Sequence, residues 1–440
     1  LLSVSNLALT ALAMYTGLRL CGENASERRL SLAVLPGMKQ VQGKPVESRA
    51  KAAILKPRDA RLNLKRLDYF LLAGITLAYA VLTFWNLGSM KAPQTAWIST
   101  KAGEQVVLDL GGEQTFHMLY FGGINYSDFT VAVSADGQAW SEEYSARMQE
   151  GNCFQWQYLV NTRGTGGSVS YTDTPRDLAG RYVRITADTI GLNLNEVIFR
   201  DLDGAALSAA VTVHTGNNPA SSVKTSPENL TDEQDTLEGE PGWYNSTYFD
   251  EIYHARTAYE HAHGIRPYET SHPPLGKVIM SWAVMIFGMT PFGWRFAGAL
   301  AGVLMLPVMY LLAKQLTGKT GLAAAAMLLM TFDLMHFTQT RIATIDSFPV
   351  LFIMLSYLFM FRYVLMDFWK KPFWKTLVPL ALSGLFMGMG IASKWIGIYA
   401  AAGLAVLFFI SCWRHLAESG AAARLLATPK AVTEERRGAV

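Results

Sequence analysis

The chain has 440 residues, of which 50% are hydrophobic and 17% charged, and its formal net charge is +3. Globular proteins average about 25% charged residues, so the composition argues against a purely soluble protein and against disorder. The net charge is too small to indicate a nucleic-acid partner, and the three cysteines lie too far apart for a disulfide framework. The sequence begins with leucine and lacks a clean signal peptide. We therefore expect it to be a piece of a larger membrane protein.

Apolar segments predict a polytopic α-helical membrane protein. Residues 68–88 are long and apolar enough to cross a bilayer, which takes about 20 residues, and we assign 67–89 to a transmembrane helix. Residues 1–18 predict a partial transmembrane span. A transmembrane core is predicted at 292–413, with spans near 292–313, 320–335, 344–366, 376–392 and 395–413. Residues 275–289 are apolar but short, which favours an interfacial helix.

The placement of charge predicts the orientation in the membrane. Residues 19–66 contain 12 Lys and Arg against 4 Asp and Glu, whereas residues 91–272 contain 11 against 24. Lys and Arg collect on the cytoplasmic side of membranes. We therefore expect 19–66 to be a basic cytoplasmic loop, 90–290 to lie outside and 414–440 to be a cytoplasmic tail, in a multi-pass protein of the cell membrane.

Residues 92–205 predict an extracytoplasmic β-sandwich inserted after the first full span. Short alternating stretches such as 129–133 and 182–185 are separated by Gly, Asp and Asn, which is typical of many short strands joined by turns. Residues 206–247 are rich in Ser, Thr, Asn, Asp, Glu and Gly, which predicts a polar linker. We expect few contacts between this domain and the segments that follow.

The stretches VVLDLGGEQTF, FTVAVSADGQAW, GRYVRITA and LNEVIF resemble the discoidin (F5/8 type C) family in their order and spacing. The resemblance implies a jelly-roll-like sandwich that often binds sugars or lipid headgroups. Trp97 and Trp140 could stack on a sugar face. The alternative is that both are aromatic residues of the core or of a strand edge.

The stretch from Tyr248 to Lys277 carries the candidate chemistry. Asp250 and Glu251 are adjacent and are followed one turn later by His254. Such a pair suits a general base that stays ionised while its neighbour orients it. The alternative is a solvated first helical turn, where acids are favourable. The sequence HPPLGK follows at 272–277, where two prolines fix the backbone at the return to the membrane.

Five ionisable side chains lie in the apolar part of the chain, at Arg295, Asp333, Arg341, Asp346 and Lys394. Ionisable residues at membrane depth are costly, so they are functional candidates by default. On the predicted orientation all five lie near the outer surface, where the cations could hold a phosphate and the carboxylates could activate an acceptor. The alternative is structural ion pairing between spans, for example of Arg341 with Asp346 or Asp333.

The motifs FDE, HPPLGK, GWRFAGALAGVLMLPVMYLLAKQL, FTQTRIATIDSF and ASKWIGIY, which lie within about 245–413, resemble the protein O-mannosyltransferase family of membrane-embedded GT-C glycosyltransferases. The resemblance implies a polyprenyl-phosphate sugar donor, an outward-facing site and inversion at the anomeric carbon. Residues 248–291 then form an extracytoplasmic catalytic loop, and 292–413 form the glycosyltransferase core. The predicted fold class is a partial GT-C-like helical membrane protein with an inserted discoidin-like sandwich of the jelly-roll type.

Carried over to this sequence, the resemblance implies that Asp250 is the catalytic base and Glu251 its acidic partner. Donor phosphate or lipid would be bound by Arg295, Arg341 and Lys394. The site would be shaped by Glu269, His272, Lys277, Asp333 and Asp346. His261 and His263 could bind zinc, but no cluster has clear metal-ligand spacing, so we expect neither a metal nor another cofactor.

The expected function is transfer of mannose from a polyprenyl-phosphate carrier to Ser or Thr of a protein. The expected partners are the lipid bilayer, the lipid-linked sugar and a protein or glycan acceptor, and not nucleic acid. One alternative is a GT-C transferase that modifies a glycolipid or a cell-wall polymer. The other is a membrane-anchored carbohydrate-binding receptor without catalysis, which would leave the intramembrane charges and the HPPLGK loop unexplained.

Overall fold

The computed structural model describes residues 62–418, except 125–126, 147, 149–152, 161–173, 217–224 and 367–371, and without the side chains of 416–418. The predicted partial span at 1–18 lies outside the described residues. The same holds for most of the predicted loop at 19–66 and of the predicted tail at 414–440.

Nine α-helices are described within these residues. They are α1 (Arg66–Phe84), α2 (Glu251–Ala262), α3 (Leu275–Phe287), α4 (Pro291–Thr317), α5 (Thr320–Thr331), α6 (Leu334–Thr340), α7 (Ser347–Val364), α8 (Phe373–Ser393) and α9 (Gly397–Glu418). Five of them, α1, α4, α7, α8 and α9, are long and apolar enough to cross a membrane. Helices α5 and α6 meet at a bend of 59° and would count as a sixth span if taken together. The predicted polytopic helical fold class is confirmed.

The nine helices differ in how far they are buried. In α4, 72% of the apolar window is buried, whereas in α1 the fraction is 17%. A helix that is apolar on all sides and also buried is a core element, whereas an exposed apolar one suits contact with lipid. Of these two helices, α4 is therefore the core element and α1 the one suited to contact with lipid. Pro307 and Pro379 lie inside α4 and α8. Membrane helices tolerate a proline when neighbouring groups form a hydrogen bond to the carbonyl that the proline leaves without a donor.

The chain divides into two compact units. Among the described residues, the helical unit comprises those within 62–82, 300–340 and 346–418, and the site unit comprises those within 83–299 and 341–345. The site unit thus holds the inserted β domain, α2, α3 and the beginning of α4. The division into functional domains drawn from the sequence remains a prediction.

The inserted domain is an antiparallel β structure. Its strands are β1 (Trp97–Ile98), β2 (Gln105–Gly122), β3 (Phe129–Ser134), β4 (Tyr144–Ala146), β5 (Gln155–Tyr158), β6 (Leu178–Ala187), β7 (Asn193–Asp201), β8 (Ala206–Leu207) and β9 (Ala210–His214). The main order is β1-β7-β2-β6-β3-β4, while β5 and β9 pair with β2, and β8 pairs with β7. The predicted inserted β domain is confirmed, whereas its assignment to the discoidin family stays a prediction.

Strand β2 organises this domain. Its first half pairs with β6 and β9 and its second half with β7 and β5, and the register shifts between Asp109 and Gln114. A bulge bends a strand and lets it change partners. The core is built by alternate residues, as in β3, where Phe129, Val131 and Val133 all belong to the buried cluster.

Two findings differ from the sequence-based expectation. First, the β structure continues past residue 205, because β9 pairs with β2, for example Val213 opposite Val107. Second, the segment 225–247 packs on the domain through hydrogen bonds such as Asn229 Nδ2 to the Ala96 carbonyl (2.9 Å). The composition of 206–247 indicated a polar linker, but polar groups within 225–247 form hydrogen bonds to the domain instead.

Contacts between the β domain and α2 are also direct. The Thr247 amide donates to the Phe154 carbonyl (3.0 Å), and the rings of Phe154 and Tyr259 lie 5.3 Å apart. The expectation of few contacts is therefore wrong, since the domain supports the segment that begins at Tyr248.

Candidate active site

Glu251 is the first residue of α2 and its carboxylate is fully buried. Arg295 donates to it at two points, from Nε to Oε1 and from Nη2 to Oε2, each at 2.7 Å. The amides of Ala343 and Tyr248 donate to Oε1 and Oε2, each at 2.8 Å. A buried carboxylate is stable only when it is paired and hydrogen-bonded, and these four donors meet that requirement.

Arg295 lies in the first turns of α4 and is only 3% exposed. Besides Glu251, its Nη1 donates to the Leu87 carbonyl and its Nη2 to the Ser246 carbonyl, both at 3.1 Å. These contacts are all within the protein, and binding a phosphate would require some of them to break. The contacts of Arg295 therefore favour holding Glu251 over the predicted contact with a donor phosphate.

Asp250 differs from Glu251 although the two are adjacent. It occupies the N-cap of α2 without a side-chain cap bond and is partly exposed. Among the described residues its carboxylate has no hydrogen-bond or ion-pair partner. The preceding Phe249 has φ +54°, which is unusual for a bulky side chain and is found where the surroundings over-determine the backbone. Asp250 is thus partly exposed, whereas the Glu251 carboxylate is held in place by its donors.

The HPPLGK loop is held by a second ion pair. Lys277, 1% exposed, pairs with the Glu269 carboxylate. It also donates to the carbonyls of Glu269 (2.9 Å) and His272 (3.2 Å). Burial raises the pKa of Glu269, but hydrogen bonds from Lys277 and Ser271 outweigh it and lower this pKa to about 2. Three of the predicted site-shaping residues are thus brought together, with Glu269 as a fixed anion.

A third ion pair, between Arg256 and Glu260 on α2, was not predicted. Arg256 Nε donates to Glu260 Oε1 (3.0 Å), and both side chains are buried. The Tyr268 amide donates to Glu260 Oε2 (2.7 Å), and the Arg256 guanidinium lies 4.1 Å from the centre of the Tyr268 ring. Only the i,i+4 spacing of an arginine and an acid could have indicated this pair.

Arg341 also belongs to the site unit. Its Nη2 donates to the carbonyls of Trp85 (2.8 Å) and Asn86 (2.7 Å). It lies two residues before Ala343, whose amide donates to the Glu251 carboxylate. The short segment 341–345 is therefore tied to the Glu251 carboxylate, and its arginine is partly exposed.

The other predicted residues belong to the helical unit. Lys394 pairs with Asp346 at 2.6 Å, and both remain partly exposed. Asp333 is nearly buried, and its Oδ1 accepts the Met335 amide at the start of α6 (3.0 Å). Asp346 and Lys394 thus form an ion pair between the ends of α7 and α8, and their role in a donor site stays a prediction.

The helical unit also contains a buried polar group that the sequence analysis missed. Lys314 donates to both carboxylate oxygens of Asp68 (3.0 and 3.1 Å), and the Tyr310 hydroxyl donates to Oδ1 (2.5 Å). Asp68 lies at the edge of the predicted span 67–89, and an acid in an apolar segment is the signal that could have indicated this group.

The two tryptophans of the β domain differ. Trp97 is fully buried in the domain core, and its Nε1 donates to Glu104 Oε1 (3.0 Å). Its predicted stacking on a sugar is therefore wrong, and the core alternative is correct. Trp140 is half-buried, and the Arg184 guanidinium lies 4.5 Å from its ring centre, so its role in sugar binding stays a prediction.

Among the described residues, one cluster of three acids could hold a metal ion, because one carboxylate oxygen of each lies within 4.8 Å of the others. The three acids are Glu196, Asp232 and Glu233. Glu196 accepts the Glu233 amide (3.0 Å) and the Gln234 side-chain amide. Burial raises the pKa of Glu196 to about 8. Hydrogen bonds to Glu196 and to the Val197 carbonyl thus hold 233–234 on β7, while the carboxylates of Asp232 and Glu233 accept from Thr95.

The family model described as "Dolichyl-phosphate-mannose-protein mannosyltransferase" matches residues 241–426. A polyprenol-phosphate-mannose–protein mannosyltransferase of Mycolicibacterium smegmatis is 28% identical over 192 residues, which are 39% of this chain and 36% of that protein. The protein of the same name from Mycobacterium tuberculosis is 29% identical over 182 residues, with 37% and 34% covered. Dolichyl-phosphate-mannose–protein mannosyltransferase 4 of Saccharomyces cerevisiae is 26% identical over 200 residues, with 40% and 25% covered. The chain thus spans about a third of the length of the first of these relatives.

Proposed function

We propose that this chain, which belongs through residues 241–426 to the protein O-mannosyltransferase family, transfers mannose from a polyprenyl-phosphate carrier to the hydroxyl of a protein Ser or Thr. The names of the similar proteins specify a lipid-phosphate mannose donor and a protein acceptor. The observation that carries the proposal is the contrast between Asp250 and Glu251. One carboxylate has no partner among the described residues, and the other is fixed by four donors.

In the proposed reaction the acceptor hydroxyl lies against Asp250. The carboxylate takes the hydroxyl proton while the oxygen forms a bond to the anomeric carbon. The bond from that carbon to the phosphate oxygen breaks on the opposite side, so the configuration inverts. The lipid phosphate leaves as a stable anion and needs charge stabilisation but no proton.

The contacts suggest how the remaining residues divide this work. The ion pair of Glu251 and Arg295 holds the N-terminus of α2 in place and so fixes the orientation of the Asp250 side chain. A phosphate contact is better assigned to Arg341, which is partly exposed and sits two residues from the amide that binds Glu251. Glu269 and Lys277 hold the HPPLGK loop. No metal or other cofactor is part of this proposal.

The chain is a multi-pass membrane protein, and we place the β domain and the site unit on the outer face. Support comes from the excess of Lys and Arg in 19–66 and of Asp and Glu in 91–272. A cysteine scan with an impermeant thiol reagent tests this placement. Substitutions at exposed positions such as Lys101 should react in intact cells, and substitutions at Lys319 should react only after permeabilisation.

The test of the reaction uses membranes that contain the protein and a polyprenyl phosphate carrying labelled mannose. A Ser- and Thr-containing peptide and the endogenous lipids and polymers are supplied together as acceptors. We expect the label in the peptide, released by β-elimination and with the anomeric configuration inverted. Label in a glycolipid or wall polymer would instead identify another GT-C activity, and absence of transfer together with sugar binding would identify a receptor.

A further inference from the structure

Tyr253 lies beside the proposed base. It is three residues after Asp250 in the first turn of α2, and side chains at this spacing are neighbours on a helix surface. The residue is 38% exposed, so part of its surface is accessible next to the carboxylate. Neither the motifs nor the site described above gives this residue a role.

The ring of Tyr253 is supported by Tyr268. The two rings are nearly parallel, with an interplanar angle of 11° and centroids 6.5 Å apart. This geometry is an offset stack, which is a preferred arrangement of two aromatic rings. Tyr268 therefore limits the orientations that the Tyr253 ring can adopt.

Tyr268 is in turn fixed by the buried pair on α2. The Arg256 guanidinium lies 4.1 Å from its ring centre, and Glu260 accepts its backbone amide. Arg256 and Glu260 are both withdrawn from solvent. A buried ion pair is often no more stable than apolar residues of similar volume, so stability alone is a weak reason for this pair. Holding Tyr268 against Tyr253 is a specific result that apolar residues would not reproduce.

We propose that Tyr253 forms the surface on which the transferred sugar rests, and that it is a specificity-determining residue for a hexose carried on the lipid phosphate. This inference rests on the proposed function. The apolar face of a pyranose ring packs on an aromatic ring. A sugar on Tyr253 has its anomeric carbon near Asp250. Arg256, Glu260 and Tyr268 act as positioning residues.

The test compares variants of the membrane-inserted protein in the mannose-transfer assay. Tyr253→Phe and Tyr253→Trp keep an aromatic face, whereas Tyr253→Leu removes it. Trp282→Leu is the matched control, because it removes an exposed aromatic ring from α3 in the same unit. For each protein we would measure the KM for the mannosyl lipid phosphate, the Ki of the same polyprenyl phosphate without sugar, and the KM for the acceptor peptide.

Tyr253→Leu should raise the donor KM by about three- to tenfold, the range of one aromatic contact. The Ki of the sugar-free lipid phosphate and the acceptor KM should stay unchanged. Tyr253→Phe, Tyr253→Trp and Trp282→Leu should stay within about twofold of the unsubstituted protein, since an aromatic contact is kept or was never made. The combined change Arg256→Met with Glu260→Leu should reproduce part of the Tyr253→Leu effect.

Three results would overturn the inference. An unchanged donor KM in Tyr253→Leu removes the sugar contact. A parallel rise of the donor KM and of the Ki for the sugar-free lipid shows a role in lipid binding or folding. A loss in Tyr253→Trp as large as that in Tyr253→Leu shows that an aromatic face is not what matters. Absence of mannose transfer by the unsubstituted protein is a different outcome, since it contradicts the proposed function itself and with it this inference.

Discussion

The Glu251 carboxylate and the Arg295 guanidinium form a two-point ion pair, 2.7 Å at each contact, in which both side chains are withdrawn from solvent. The residue before Glu251 is the partly exposed Asp250. Two adjacent carboxylates thus have opposite surroundings, and different surroundings are how one site assigns different roles to chemically similar groups.

Asp250→Asn keeps the shape of the side chain and removes the base. Mannose transfer should fall by about 10²- to 10⁴-fold, the range of general-base catalysis. Expression and thermal stability should stay close to those of the unsubstituted protein, because this carboxylate has no partner among the described residues. The measurement is the initial rate at saturating donor, with Asp177→Asn, a change of an exposed acid in the β domain, as the control. A rate within a few-fold of normal would remove Asp250 from its role.

Arg295→Ala should destabilise the protein and also lower the rate of mannose transfer. The change leaves the buried Glu251 without its cation, and loss of one partner of a buried pair costs about 3–5 kcal/mol. Arg295→Lys keeps the charge but loses the planar fork, so an intermediate result is expected. Melting temperature in detergent and donor KM are measured side by side.

The matched control for Arg295 is Arg341→Ala, which removes a partly exposed arginine bonded to backbone carbonyls. It should raise the donor KM with a smaller loss of stability. A normal melting temperature of Arg295→Ala combined with a raised donor KM would restore the phosphate-binding role of Arg295.

The Glu269–Lys277 pair should make the protein sensitive to acid. The pKa of Glu269 is lowered from 4.5 to about 2, so its contribution to stability is complete above pH 4.5 and is lost as the pH falls from there towards 2. The melting-temperature difference between the unsubstituted protein and Glu269→Gln should be constant at neutral pH. It should shrink across that acid window. A difference that does not change with pH would contradict the ion pair.

Glu196 should have the opposite pH dependence. Its pKa is raised from 4.5 to about 8, so its favourable contribution is complete below pH 4.5 and is lost as the pH rises through 8. Between pH 6 and pH 9 the unsubstituted protein should therefore lose more stability than Glu196→Gln, which cannot ionise. Melting temperatures of the two proteins at several pH values decide the matter, and parallel curves would show that Glu196 is already ionised at pH 6.

The extent of the β domain can be tested with soluble fragments. A fragment of residues 92–205 lacks β9, which pairs with β2, and also lacks 225–247, which covers Glu196. We expect a fragment of residues 92–247 to unfold cooperatively and at a higher temperature than 92–205, with 92–216 in between because it restores only β8 and β9. Equal melting temperatures for the three fragments would support the original reading of 206–247 as a free linker.

The sequence determined the elements whose physical cause is local. Runs of about 20 apolar residues can only be stable across a bilayer as helices, and the structure has helices of that length at α1, α4, α7, α8 and α9. Alternating residues such as Phe129, Val131 and Val133 indicated strands with one buried face, and they lie in the core of the inserted domain. The motif around Asp250 likewise identified the segment that matches the mannosyltransferase family.

Tertiary structure decided which groups meet and which remain accessible. Apart from the family resemblance, the residues around Asp250 and Glu251 do not show which carboxylate is buried. The donors to Glu251 come from Tyr248, Arg295 and Ala343, which lie up to 92 residues away. Composition could not show whether 225–247 is a free linker or is packed on the β domain. Polar side chains are compatible with both, since they can form hydrogen bonds to water or to the domain. Burial is a property of the assembled chain, and for that reason Trp97 could be read as a sugar contact until its ring was placed in the core.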